Sequence, residues 1–288
     1  MSERELSTGF SSCPNDTFMF HGLVFGDVPV PGLRFAPHIA DIEALNLRAL
    51  GPEPLPITKL SASALARLCD RYTVLQAGAA LGRGCGPLVV RRAADGEGDL
   101  RALAGKRVAI PGEHTTAHLL LRVFFTAQAG DQAEPFEAVI MRFDQIMPAV
   151  AAGSVDAGLI IHESRFTYAS HGLVALADLG ECWERDTGLP IPLGMICARR
   201  DLDEGTIAAV EGGLRRSVEL AFKAPERSRG WVREHARELD DAVCAQHIAL
   251  YVNDFSVDLG AEGRAAIDEL IARGRASAFL PPGSSPWR

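Results

Sequence analysis

The chain has 288 residues, 47% of them apolar and 23% charged, enough to bury a sizeable core in two domains or one large α/β domain. A formal net charge of −8 argues against nucleic acid as the main partner, but it leaves room for an anionic small molecule, because a site can be locally positive on an acidic protein. No apolar run approaches the ~20 residues of a transmembrane helix, the start of the chain has no apolar signal stretch, and the six cysteines form no C-x-x-C pair, so a cytoplasmic protein with reduced thiols and no membrane insertion is expected.

Taken in chain order, the N-terminal half repeats one unit of strand, hydroxyl-rich turn and helix. Leu6 to Phe10 reads as a strand, Ser11 to Asp16 as a turn, and Thr17 to Phe25 as an apolar helix capped by Asn15 or Asp16. The unit returns at Leu55 to Lys59, followed by Ser61, Ser63 and a helix over Ala64 to Cys69. It returns again at Arg107 to Pro111, followed by Gly-Glu-His-Thr-Thr (112–116) and a helix over Ala117 to Ala127. Further strands are expected at Tyr72 to Gln76, Pro87 to Arg91, Ala138 to Arg142 and Ala157 to Ile161, with a helix over Gln145 to Ala152. From Thr206 to Gly274 the pattern is helical throughout, and the Pro-rich tail after Phe279 reads as irregular. Alternating strands and helices predict a mainly parallel sheet. Breaks near residues 93 and 195 divide the chain into a discontinuous lobe, 1–92 with 196–288, and a second lobe, 93–195.

The turns after parallel strands gather at one sheet edge, where open α/β folds bind ligands. Helix N-termini there offer free amides and the positive end of a dipole, so three converging termini suit a carboxylate. Thr115 and Thr116 would add hydroxyl donors, though an ordinary helix cap explains them as well. Lys59, at a strand end beside Ser61, could pair with a substrate carboxylate or sit in a surface ion pair. His162, delivered by Gly158 to Ile161, is placed as a general base would be, or as a packed strand-end histidine. Glu163 could orient that ring or face solvent. His114 and His118 have the i, i+4 spacing of a zinc pair but lack a third ligand, and His162-Glu163 is not completed to H-E-x-x-H because Phe166 stands fifth. Gly82 to Gly86 is not a dinucleotide fingerprint. No metal or cofactor is expected.

Several stretches, taken together, resemble the 1,4-dihydroxy-6-naphthoate synthases of the futalosine route to menaquinone. They are Ser12 to Phe18 (SCPNDTF), Thr58 to Ser61 (TKLS), Gly78 to Pro87, Pro111 to Ala117 (PGEHTTA), Val155 to Tyr168, Thr187 to Gly194 and Tyr251 to Gly260, and they span nearly the whole chain. The resemblance implies a type II periplasmic-binding-protein-like α/β fold with a ligand cleft between two lobes. It implies a lyase that converts cyclic dehypoxanthinylfutalosine into 1,4-dihydroxy-6-naphthoate, with His162 as proton acceptor. Lys59, Leu60 and Ser61, with Thr116 and Ala117, would hold the substrate; Thr115 and Asn15 join them as candidates. One departure is Ser11-Ser12, where family members commonly carry Ser-Pro before the cysteine. The competing readings are a chorismate dehydratase of the same pathway and a non-catalytic carboxylate-binding protein. A regulator's effector domain lacks support, since no helix-turn-helix segment precedes the first strand.

Overall fold

The computed structural model describes residues 3–96, 98–130, 134–236 and 240–288. Among them, eleven strands form two sheets. The first sheet holds β1 (Arg4–Phe10), β2 (Leu33–Ile39), β3 (Ile57–Ser61), β4 (Tyr72–Val74), β5 (Ala80–Gly82) and β11 (Ile191–Arg199). Its order is β2-β1-β3-β11-β4, with β5 also pairing β11. The second holds β6 (Leu88–Arg92), β7 (Arg107–Ile110), β8 (Glu137–Ile140), β9 (Ala157–Ile160) and β10 (Leu173–Asp178), in the order β10-β6-β9-β7-β8.

The repeated strand-turn-helix units account for the parallel pairs β1–β2, β1–β3, β7–β8 and β7–β9. The expected mainly parallel sheet is corrected to two mixed sheets, because the strands that carry the chain between them run backwards. β11 is antiparallel to β3, β4 and β5, and β6 is antiparallel to β9 and β10. Since β6 already belongs to the second sheet and β11 to the first, the chain crosses at residues 83–87 and 188–190, ahead of the expected breaks at 93 and 195. One crossing is tight: a Cβ on Gly86 would meet the Gly180 backbone nitrogen at 2.2 Å, so only glycine fits there.

The helix Pro14–Val24 starts earlier than expected. Cys13 is its N-cap, Pro14 supplies the fixed φ that suits a first turn, and Asn15 and Asp16 lie inside the helix, free for other work. Its outer face packs on Glu204–Lys223, where Ser217 Oγ accepts from Leu23 N–H at 3.2 Å and donates to Met19 O at 2.6 Å. The irregular tail is pinned down, with Pro286 O accepting from Val74 N–H at 3.0 Å and Trp287 Nε1 donating to Asp268 at 2.7 Å. One apolar cluster runs across both sheets, joining Leu60, Leu81 and Met195 to Val89, Val108 and Leu119. No helix among the described residues is long and apolar enough to cross a membrane.

Candidate active site

A cleft with about 630 Å³ of empty volume lies where the two sheets meet. The N-terminal ends of three helices border it: Asn15 from Pro14–Val24, Ser61 ahead of Ala62–Ala66, and Thr115 to Ala117 at the start of Thr116–Ala129. Lys59, Arg165, His162, His247 and Tyr251 complete its polar wall. The cleft therefore gathers seven of the eight site residues expected from the sequence. Leu60 is the exception. Strand alternation turns Lys59 and Ser61 to the cleft and Leu60 into the core, where it is fully buried.

Both cations at the cleft are already paired. Lys59 Nζ lies 2.6 and 2.7 Å from the two oxygens of Asp16, which is fully buried and also accepts from Ser11 N–H at 2.9 Å, Ser11 Oγ at 2.6 Å and Asn15 Nδ2 at 2.9 Å. The surface ion pair considered for Lys59 is thus replaced by an interior one. Arg165 donates to Gly86 O at 2.7 Å and to Asp178 at 2.9 Å. The Thr116 hydroxyl is likewise engaged, accepting from Ala62 N–H at 2.8 Å and donating to Leu193 O at 2.5 Å. Thr115 Oγ1 caps His118 N–H at 3.2 Å and donates to Gly112 O at 2.9 Å. What remains at this terminus for an anion is the pair of first-turn amides of Thr116 and Ala117, which helix geometry leaves without an i−4 acceptor.

His162 follows β9 on a corner with φ of 58°, a left-handed conformation that a β-carbon disfavours. Phe143 meets its ring edge-to-face at 5.1 Å, and Cys13 Sγ lies 3.4 Å from Nδ1. Burial, reinforced by the charge of Lys59 and opposed by Asp16, lowers its pKa from 6.5 to about 4, so the ring is neutral at pH 7. Burial likewise pushes the Cys13 thiol up to about 12, so it stays protonated beside the histidine. Glu163, considered as an orienting group for His162, lies close to a second histidine. It is buried, with Oε2 3.9 Å from His247 Nδ1. His247, Tyr251 and Arg165 were not expected at the site. The helix Asp241–Tyr251 that carries two of them has no local pattern separating them from packing residues, although Tyr251 opens one of the stretches that carry the family resemblance.

Residues 6–276 match the family model described as menaquinone biosynthesis. A 1,4-dihydroxy-6-naphthoate synthase of Thermus thermophilus is 50% identical over 98% of each chain. A second, from Streptomyces coelicolor, is 47% identical over 98% of this chain and 96% of its own. The chain belongs to this menaquinone biosynthesis family. The fold is shared with a crystal structure of a protein from Archaeoglobus fulgidus, 35% identical, with a TM-score of 0.86 over 96% of this chain and 98% of that one. The alkanesulfonate-binding protein SsuA of Xanthomonas axonopodis pv. citri is 18% identical with a TM-score of 0.72 over 98% of this chain and 96% of that one, and with such neighbours this chain shares a periplasmic-binding-protein-like fold.

Proposed function

We propose that the chain is a lyase that converts cyclic dehypoxanthinylfutalosine into 1,4-dihydroxy-6-naphthoate, with His162 as the proton acceptor. The observation that carries this reading is a neutral imidazole on a strained corner in a largely apolar cleft between the lobes. A base must be unprotonated to act, and the drier and more positive its surroundings, the lower the pH at which it still can. Forming an aromatic product requires loss of protons from the substrate, and His162 is placed to take one. The substrate carboxylate would lie against the amides of Thr116 and Ala117, with Asn15, Ser61 and Thr115 along the same wall. Lys59 would act with its charge balanced by Asp16, its third ammonium hydrogen remaining for ligand. A biosynthetic role of this kind fits a cytoplasmic protein.

The test is incubation of the purified chain with cyclic dehypoxanthinylfutalosine, with chromatographic detection of the naphthoate, alongside His162→Asn. Turnover by the parent and a loss of about 10²–10⁴-fold in the variant are expected, with product still bound. Binding without turnover would favour a carboxylate-binding protein. Consumption of chorismate instead would favour a dehydratase.

A further inference from the structure

His247 borders the cleft yet is only 1% exposed, and its tautomer can be read from its neighbours. Lys59 and Ser11 both donate to Asp16, so Asp16 is an acceptor and the Asn15 atom 2.9 Å from its Oδ1 is the amide nitrogen. Asn15 Oδ1 is then also an acceptor, and it lies 3.1 Å from His247 Nε2, which must carry the hydrogen. Burial, with the positive charge of Lys59, keeps this ring neutral. Its Nδ1 is therefore a bare lone pair, buried without a hydrogen-bond partner. It faces Glu163 Oε2 at 3.9 Å, about 1 Å beyond hydrogen-bond contact.

The placement gives this pair a role. Glu163 directly follows His162, whose left-handed backbone persists only where its surroundings hold it. The His162–Glu163 corner ends a strand of the second sheet, whereas the helix bearing His247 packs on Pro14–Val24 beside the first. The His247 ring lies nearly parallel to His162, 25° between planes and 6.2 Å between centroids. We propose that His247 is a positioning residue for His162: its Nδ1 and the Glu163 carboxyl close on one shared hydrogen, clasping the strained corner to the opposite lobe. The hydrogen enters as a proton from solvent, and a side-chain shift of about 1 Å closes the contact. The kinetic consequence rests on the lyase reading above; the contact itself does not.

Two variants and two measurements decide it. His247→Leu keeps apolar bulk and removes the clasp, whereas His247→Gln offers an amide N–H to the Glu163 carboxylate. Single-turnover rate at saturating substrate should fall about ten- to a hundredfold in His247→Leu with little change in KM, since a misplaced base slows chemistry more than binding. His247→Gln should recover most of that loss. In ligand-free protein labelled with 15N-histidine, the His162 ring should give one sharp set of resonances in the parent and in His247→Gln, and broadened or doubled ones in His247→Leu. Equal slowing in both variants, or His162 resonances identical in all three proteins, would overturn the clasp. A parent chain that forms no naphthoate would sink the lyase reading, while the resonances would still decide the clasp.

Discussion

Asp16→Asn is the most informative single change outside the proposed base. The carboxylate is fully buried, and its oxygens divide their donors cleanly. Oδ1 faces Lys59 and Asn15; Oδ2 faces Lys59 and Ser11. An asparagine must turn its NH₂ toward one of these sets, and in either orientation donor meets donor. Lys59, itself only 6% exposed along the side chain, keeps its charge and loses its counter-ion. Breaking a buried pair by removing one partner costs about 3–5 kcal/mol. At roughly 2–4 °C per kcal/mol for a chain somewhat smaller than this one, the melting temperature should drop by about 6–20 °C. Urea unfolding with an unchanged m-value would measure the loss. The double variant Asp16→Asn/Lys59→Met removes the stranded cation and should regain much of the loss, giving a favourable coupling energy in the cycle. A single variant that costs less than about 1 kcal/mol, in the range of exposed pairs, would refute the buried-pair reasoning. So would a double variant whose loss equals the sum of the singles.

Three further outcomes are expected. Thr116→Val should act mainly on stability, because the hydroxyl links Ala62 N–H to Leu193 O; a buried amide left unpaired costs about 1–3 kcal/mol, read by thermal melting, while product affinity of the folded variant changes little. The pH–rate profile of the parent should keep its plateau below the ordinary histidine range and fall only on an acid limb centred near pH 4, because protonation of His162 removes the base; a midpoint at 6.5 would place the ring in a wetter site. Stability should begin to fall as pH drops below 6.5, before the carboxylates titrate: the folded value of His162, about 4, lies below the unfolded one, so the unfolded chain takes up that proton first, at a cost of about 2 kcal/mol by pH 5. Melting temperatures that are flat from pH 7 to 5 would contradict that.

The sequence made the strand-turn-helix units legible because each turn is marked by small hydroxyl residues and each helix by an apolar run. What it hid is long-range. β11 is read from Pro192, Gly194 and a short apolar run, and nothing local says that it runs antiparallel between β3 and β4. β2 carries Pro37 and is only partly buried, which masks the alternation of an edge strand. At the site, His162 and the threonines were visible because they sit at the ends of recognisable elements. The engagement of the Thr116 hydroxyl was not, since its partners Ala62 and Leu193 are 54 and 77 residues away. The same holds for His247, whose polar partner Asn15 is 232 residues distant. Lys59 reads as a partner for a substrate carboxylate or for a surface ion pair, and only the folded helix brings the buried Asp16 onto it.

The apolar cluster that joins the two sheets bears on how the molecule can be divided. Leu60, Leu81 and Met195 on one side and Val89, Val108 and Leu119 on the other are each at most 1% exposed and belong to one buried cluster. Cutting the chain at its two crossings would leave both fragments with a bare greasy face, so neither piece expressed alone should be a tractable protein, whereas the two co-expressed should find each other. For the same reason the second sheet cannot be treated as an exchangeable cassette: grafting it into a relative requires carrying over the residues of the first sheet that it leans on. Modularity here ends at the surface loops, and the interior is a single inheritance.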